Sequence, residues 1–277
     1  MLRSLRTFCA ALTLFTGGFA LTAPVQADPM RSEAVFVQDL KSAKVLYDKN
    51  SEDTRPIASI TKLMTALIVA EAGQNLQTNI TISDDDIDRL RNSRSRLAVG
   101  TTLSRDNMLL LALMSSENRA AHALARYYPG GLPAFIRAMN DKARELGMRH
   151  TRFVDPTGLS ANNISTPRDL IKLLKTVNEN PLIQRYTVNE RHQVTLKNGR
   201  TLTYNNTNRL VKNDDWAVQL SKTGFINEAG RCLVMVTRLD GREVAMVFLN
   251  SQGLYSRIGD AVRVRNYLEK NIDLAML

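Results

Sequence analysis

Two side chains that could form a nucleophile and its base stand three positions apart, at Ser59 and Lys62. Positions three apart lie on one face of a helix, so a hydroxyl and an amine placed there can meet. A serine hydroxyl needs a base at neutral pH, and lysine serves as that base when burial or a neighbouring cation lowers its pKa. The alternative is a helix cap followed by a solvent-exposed lysine. Taken alone, the pair does not establish a catalytic site.

Two further polar motifs follow along the chain. Residues 116–118 read Ser-Glu-Asn just after a nearly unbroken apolar run, which predicts either a polar helix break or the edge of a site. Residues 222–224 read Lys-Thr-Gly at the end of a strand-like segment. There lysine offers charge, threonine a directed hydrogen bond and glycine room for a close approach, a combination that suits a carboxylate. The alternative is an ordinary edge strand that ends in glycine.

In this order the three motifs form the Ser-x-x-Lys, Ser-x-Asn and Lys-Thr-Gly set of penicillin-binding proteins and serine β-lactamases. The chain resembles the small D-alanyl-D-alanine peptidases, and most of all the D-alanyl-D-alanine endopeptidases among the low-molecular-mass penicillin-binding proteins. The resemblance runs from about Ala34 to Lys270, and it is carried by the segments 55–66, 109–121, 151–170, 206–211 and 222–234. Glu117 departs from the commonest triad, but it occupies the free middle position of the second motif.

The resemblance implies catalytic roles for three side chains. Ser59 attacks the carbonyl carbon of a D-alanyl residue and forms an acyl-enzyme, while Lys62 accepts the proton of its hydroxyl. Ser116 relays a proton to the leaving amine. The oxyanion hole consists of the backbone N–H groups of Ser59 and Phe225.

The same resemblance implies four residues that bind the substrate. Asn118 holds the substrate's amide. Lys222 supplies positive charge beside Thr223, which binds a carboxylate. Gly224 lets the substrate backbone approach closely.

The resemblance implies an endopeptidase that hydrolyses the D-alanyl–meso-diaminopimelyl cross-links of peptidoglycan. Peptidoglycan is then the partner, β-lactams are covalent inhibitors that acylate Ser59, and neither a cofactor nor a metal takes part. The three histidines, at positions 122, 150 and 192, share no ligand spacing, which agrees with the expected absence of a metal.

Three alternatives stay open on the sequence. A D-alanyl-D-alanine carboxypeptidase has the same motifs, but such relatives usually carry a further β domain, and only 277 − 224 = 53 residues follow Gly224. A β-lactamase of class A needs a glutamate in a loop after the second motif, and the loop at 155–159 resembles the peptidases instead. A penicillin-binding sensor or scaffold, which is acylated once and then stops, is the alternative outside the enzymes.

The start of the chain has the pattern that is typical of a secretory signal. Arg3 and Arg6 precede an apolar run, and Val25-Gln26-Ala27 places small residues where a signal peptidase cleaves. We therefore predict a signal peptide at 1–27 and a periplasmic protein. The 37 Lys and Arg against 27 Asp and Glu give a net charge of +10, which fits anionic lipid or wall polymer. Weak membrane association and other wall hydrolases as partners stay open, whereas no motif indicates a nucleic acid.

Strand patterns lie at both ends of the remaining chain and helical patterns lie between them. The pattern predicts an α/β (α+β) fold of the β-lactamase and DD-peptidase type, in which both chain ends build one antiparallel sheet with flanking helices and a helical insertion. We expect a single domain over 28–277, with sheet regions at 28–72 and 186–277 and a mainly helical region at 73–185. The predicted helices cover 59–72, 106–113, 118–128, 132–146, 169–177 and 258–270, and the predicted strands cover 34–38, 45–47, 193–196, 202–204, 218–222, 231–239 and 243–249.

Overall fold

The computed structural model describes residues 30–275, so the predicted signal peptide at 1–27 lies outside the described residues. Its centre is an antiparallel five-stranded sheet in the order β2-β1-β11-β10-β9. The first two strands come from one end of the chain and the other three from the opposite end, which confirms the predicted arrangement. The bounds are β1 Ser32–Asp39, β2 Val45–Lys49, β9 Ala217–Ile226, β10 Gly230–Leu239 and β11 Arg242–Ser251.

Both faces of this sheet are covered, and this explains why its strands are apolar at consecutive positions. In β1, Ala34 and Phe36 belong to the core beneath the helical layer, while Val35 and Val37 belong to a second core on the opposite face. The long C-terminal helix packs on that second face. A turn at Asp240 and Gly241, both at positive φ, joins β10 to β11, as is typical of an Asp-Gly sequence between two strands.

The helices form one layer on the first face of the sheet, and the last helix covers the second face. Their bounds are α1 Thr61–Glu71, α2 Arg105–Met114, α3 Asn118–Arg126, α4 Gly131–Glu145, α5 Pro167–Asn178, α6 Pro181–Thr187 and α7 Ser256–Ala275. The sequence did not predict α6. The helix predicted from residue 59 begins two residues later, because residues 58–60 form a 3-10 turn. Helix α1 is buried all round, from Thr61 to Val69, so it lies at the middle of the helical layer.

Three two-stranded sheets complete the fold: β3 Arg55–Pro56 with β6 Ile164–Ser165, β4 Asn79–Thr81 with β5 Thr102–Ser104, and β7 Arg191–Thr195 with β8 Thr201–Asn205. The β7–β8 hairpin matches the predicted pair of strands, but it stands apart from the five-stranded sheet.

One buried carboxylate joins the two ends of the described chain. Asp260 of α7 is fully buried and accepts hydrogen bonds from the backbone N–H of Arg31, at 3.0 Å, and from that of Ser32, at 2.7 Å. The Ser32 hydroxyl also donates to it, and Arg263 forms an ion pair with it at 3.1 Å. The start of β1 is thus fixed to α7 by charge-assisted bonds, which are stronger than neutral ones.

We expect Asp260→Ala to lower the free energy of unfolding by about 3 kcal/mol, because it leaves the buried donors around it without an acceptor. Chemical denaturation of both proteins at pH 7 measures the difference. Asp141→Ala is the control, since Asp141 is exposed and its pair with Arg144 is on the surface, where such pairs contribute at most about 1 kcal/mol. Equal losses in the two variants would contradict the assigned role of Asp260.

Candidate active site

Ser59 lies in the 3-10 turn that leads into α1, where Ala58 is held at a φ of +47°. Lys62 occupies the first turn of α1, and its Nζ donates a hydrogen bond of 3.0 Å to Ser59 Oγ. The spacing of the first motif thus brings the two side chains together as predicted. Lys62 is buried, whereas Ser59 is partly accessible.

The Lys62 amine has two further acceptors. Its Nζ lies 2.6 Å from the carbonyl oxygen of Thr157 and 2.8 Å from Asn118 Oδ1. Burial lowers the pKa of Lys62 to about 7, although the charges of Asp155, Glu117 and Asp88 favour the protonated form. A substantial fraction of the amine is therefore neutral at physiological pH and can accept a proton.

Ser116 forms a second pair with Lys222. Ser116 sits between α2 and α3 at a φ of +62°, and its Oγ accepts a hydrogen bond of 3.0 Å from Lys222 Nζ. Lys222 lies on β9 and is fully buried. Burial holds the pKa of Lys222 well below its usual range, and the nearby positive charges of Lys62 and Arg257 lower it further. The two buried amines thus share one electrostatic environment.

The rest of the third motif lies directly beside the Ser59 turn. A Cβ added to Gly224 would stand 3.1 Å from the Ser59 backbone nitrogen and 3.1 Å from the Ile57 carbonyl oxygen, so any larger residue would require the Ser59 turn to move by a few tenths of an ångström. Thr223 Oγ1 donates to Thr207 Oγ1 at 2.7 Å. Phe225 is half exposed, and its ring contacts the Arg231 guanidinium.

A loop at 155–160 closes the site from the helical side. Its Asp155 carboxylate accepts hydrogen bonds from the backbone N–H groups of Thr157, Gly158 and Ser160 and from the Thr157 hydroxyl. These bonds fix the loop so that the Thr157 carbonyl points at Lys62. Gly158 has a φ of +82° and is packed against the backbone of Ala58.

We expect Gly158→Ala to lower the rate of Ser59 acylation by at least about 100-fold, the size of effect that a displacement of about 1 Å at a reacting group produces. The added Cβ would stand 1.9 Å from the Ala58 carbonyl oxygen, so the nucleophile turn must move. Gly199→Ala is a matched control, because Gly199 has a φ of +80° but no atom within 4 Å of the added Cβ. Labelling rates with a fluorescent penicillin measure both variants. Similar losses in both would assign the effect to backbone strain rather than to the contact.

All eight residues predicted for the site lie around this one cleft. The model for the D-alanyl-D-alanine carboxypeptidase family matches residues 21–253, which is most of the chain. The chain belongs to this family. The family is one of serine peptidases, so the predicted class of enzyme, a hydrolase among the penicillin-binding proteins, is confirmed.

Individual relatives agree with this assignment. The chain is 44% identical to the D-alanyl-D-alanine endopeptidase of Pseudomonas aeruginosa over 97% of its own length and 88% of that protein. It is 46% identical to the D-alanyl-D-alanine endopeptidase of Escherichia coli over 86% of its length and 77% of that protein. The crystal structure of the Streptomyces K15 DD-transpeptidase superposes with a TM-score of 0.81 at 28% identity, covering 88% of this chain and 98% of that one. The predicted fold class is thereby confirmed.

The site has contributors that the three motifs do not name. Ser93 Oγ accepts a hydrogen bond from Asn118 Nδ2 at 2.9 Å, so it orients the amide that contacts Lys62. The Thr157 carbonyl accepts a hydrogen bond from Lys62 Nζ, and the Thr207 hydroxyl accepts one from Thr223 Oγ1. Thr157 and Thr207 lie in segments that carry the family resemblance, whereas Ser93 lies in an Arg- and Ser-rich stretch, residues 89–96, that belongs to none of the three motifs.

Arg257 is the least expected residue near the site. Its Nε and Nη1 atoms are buried, and neither has a hydrogen-bond partner among residues 30–275. Burial lowers the pKa of Arg257, and the charge of Arg231 lowers it further. In the sequence it directly precedes the helix predicted at 258–270, and nothing in that pattern separates it from a surface arginine.

Proposed function

We propose that this peptidase is a serine D-alanyl-D-alanine endopeptidase that hydrolyses the D-alanyl–meso-diaminopimelyl cross-links of peptidoglycan. The observation that carries the proposal is the contact between Ser59 and a buried lysine whose pKa is about 7. Such a lysine is a competent general base at neutral pH. The endopeptidase names of two relatives at 44% and 46% identity support the choice of cross-links as substrate.

In the proposed acylation step, Lys62 takes the proton of the Ser59 hydroxyl while the Ser59 oxygen attacks the D-alanyl carbonyl carbon. The resulting oxyanion accepts hydrogen bonds from the backbone N–H groups of Ser59 and Phe225, which the packing of Gly224 against the Ser59 turn brings close together. The carbonyl then re-forms, the bond to the leaving nitrogen breaks, and this nitrogen receives through the Ser116 hydroxyl the proton that Lys62 took from Ser59, so Lys62 is neutral again. A water molecule afterwards hydrolyses the ester: Lys62 takes the proton of the attacking water and returns it to the departing Ser59 oxygen.

In this proposal the substrate is held by the remaining polar groups. Asn118 contacts the amide of the acyl strand. Lys222 and Thr223 hold the carboxylate next to the scissile bond, and the unpaired guanidinium of Arg257 adds positive charge near that position.

The loop at 155–160 argues against a β-lactamase. Fast release of an acylated β-lactam requires a base near the ester, and Asp155 is the sole carboxylate of this loop. It is occupied by four hydrogen bonds within the loop itself. We therefore propose that β-lactams acylate Ser59 and are released slowly, which makes them inhibitors.

A carboxypeptidase is the second candidate, because the matching family model carries that name. Product analysis by mass spectrometry separates the two. The chain from residue 28 onward is incubated with cross-linked muropeptide dimers and, separately, with a monomeric pentapeptide. Dimers resolved into monomers, with the pentapeptide left intact, support the endopeptidase. Release of D-alanine from the pentapeptide with intact dimers would overturn it. Penicillin labelling without turnover of either substrate would favour a sensor.

We further propose that the protein works in the periplasm, where its substrate lies. The basis is the predicted signal peptide at 1–27. Over residues 30–275, every helix is too short or too polar to span a bilayer. Peptidoglycan is the proposed partner and β-lactams the proposed covalent inhibitors.

A further inference from the structure

A second cavity, of about 360 Å³, lies on the Ser116 side of the cleft. Its walls are the second motif, the end of β8 and the Arg- and Ser-rich loop before α2. The lining side chains that matter are Arg94, Arg96, Glu117 and Tyr204. Because Ser116 lines the same cavity and also contacts Lys222, this space opens directly from the proposed catalytic groups.

The Tyr204 hydroxyl at this cavity has no hydrogen-bond acceptor among the residues that the structure describes. The side chain is buried, with 2% of its surface exposed, and its hydroxyl proton has no acceptor within residues 30–275, because the neighbouring Arg96 guanidinium can only donate. Burial raises the pKa of Tyr204 to about 12, and the charge of Glu117 acts in the same direction. The hydroxyl therefore remains protonated and can donate a hydrogen bond to a ligand. A buried donor left without an acceptor is costly, which indicates that an acceptor binds here.

The two arginines give the cavity a positive charge. Arg96 stacks on the Tyr204 ring at 3.8 Å, and its Nη1 donates to the Thr203 carbonyl oxygen at 2.6 Å, so its position is fixed. Arg94 is exposed and has no ion pair or hydrogen bond with the described part of the chain. Glu117 is the one acidic residue among those that line the cavity, and its carboxylate caps α3 by accepting from the Arg119 backbone N–H.

The positive surface continues beyond this cavity. Arg96 also lines a neighbouring cavity of about 290 Å³, which runs along the tip of the β7–β8 hairpin. Lys197 and Arg200 of that hairpin line it as well. A cationic track therefore leads away from Ser116, over a distance that a single amino acid cannot fill.

We propose that this cationic track binds the acceptor peptide of the cross-link, the strand that leaves when Ser59 is acylated. The inference rests on the proposed function, because Ser116 is taken to protonate the leaving amine, which places the leaving strand on its side of the cleft. The acceptor peptide carries the carboxylates of its glutamyl and diaminopimelyl residues. Arg94 and Arg96 pair with these carboxylates, and the Tyr204 hydroxyl donates to one of them. Free D-alanine, the leaving group of a carboxypeptidase, has too few atoms to reach them.

Steady-state cleavage of muropeptide dimers by the R94Q/R96Q double variant and by Tyr204→Phe tests this proposal. We expect the double variant to raise KM for dimers at least about tenfold, the loss that corresponds to one charge-assisted hydrogen bond, and Tyr204→Phe to raise it severalfold. The acylation rate with benzylpenicillin, which has no acceptor peptide, should stay within about twofold of wild type. Arg137→Gln is the matched control, since Arg137 is an exposed arginine of α4 that lines neither cavity. Equal losses in dimer cleavage and penicillin acylation, or no change in either, would overturn the proposal.

Direct binding separates this inference from the proposed function. Isothermal titration calorimetry measures the Kd of the tripeptide L-Ala-D-Glu-meso-diaminopimelate for Ser59→Ala protein, with and without R94Q/R96Q. We expect the combined variant to bind this peptide at least about tenfold more weakly than the Ser59→Ala protein. A peptide whose carboxylates are amidated should bind to the two proteins with equal affinity. Equal affinity in the two proteins would overturn the cavity assignment. Wild type that releases D-alanine but leaves dimers intact would instead overturn the endopeptidase assignment.

Discussion

Ser59→Ala is expected to abolish both penicillin labelling and cleavage of peptide substrates, while the protein keeps its thermal stability. No other group can take the place of this hydroxyl, because Lys62 Nζ is directed to it at 3.0 Å and the Ser59 amide lies against Gly224. Loss of the nucleophile in a serine enzyme removes about 10⁶-fold in rate. Gel fluorescence after incubation with a labelled penicillin, together with product analysis, measures the result.

Ser160→Ala is the control for this experiment. Ser160 belongs to the second Ser-x-Asn sequence of the chain, and its Oγ accepts a hydrogen bond from the Asn162 backbone N–H at 3.1 Å. We expect this variant to be labelled like wild type. Labelling that persists in the Ser59→Ala protein would show that another residue is acylated and would remove Ser59 from the mechanism.

Lys62→Met is expected to slow acylation of Ser59 by about 10³-fold or more, within the range that a positioned general base contributes. Wild-type acylation should rise with pH through about 7 and then level off, because the neutral amine is the active form and its pKa is about 7. The Met variant should show no such rise. Stopped-flow acylation by a chromogenic β-lactam between pH 5 and 9 gives both profiles.

The same variant is expected to be more stable than wild type at neutral pH. The pKa of Lys62 lies below its usual 10.5 in the folded protein, so folding disfavours the charged amine. This cost is absent above the unfolded pKa, grows as pH falls from about 10 to 7, and is constant below that. Methionine removes it and retains much of the apolar volume. Lys175→Met, at an exposed position of α5, should change neither stability nor acylation, and a loss of stability in Lys62→Met would contradict the assigned cost.

Most helices could be predicted from the helical period of their apolar residues, and most strands from short apolar runs between turns. Helix α6 was missed although Asn180 caps it by accepting from the N–H groups of Leu182 and Ile183. Its Asn-Pro start is the same type of signal as the Thr166-Pro167 start of α5. The helix has only seven residues, too few for a periodic apolar face to stand out.

In the site, the residues of the three motifs could be predicted because each motif is a fixed combination of side-chain types. The backbone contact of the Lys62 amine could not be predicted. Its acceptor, the Thr157 carbonyl, is a backbone atom, and residue type does not reveal its position. The conformations at Ala58 and Ser116, both at positive φ, are likewise imposed by neighbouring loops. Arg257 could not be predicted for a different reason. Helical periodicity shows which face of α7 is apolar, but it does not show which part of the sheet that face contacts.

The pairing of β1 with β11 determines when the enzyme can first become active. Ser32 is paired with Ser251, although 219 positions separate them in the chain. Contacts between such distant segments form late, because the intervening loop must first lose its conformational entropy. Lys222 reaches Ser116 through a strand of this same sheet. A chain that is synthesised from its amino end therefore carries Ser59 and Lys62 without a working site until β11 has been added, so the last strand of the sheet sets the earliest time at which catalysis can begin.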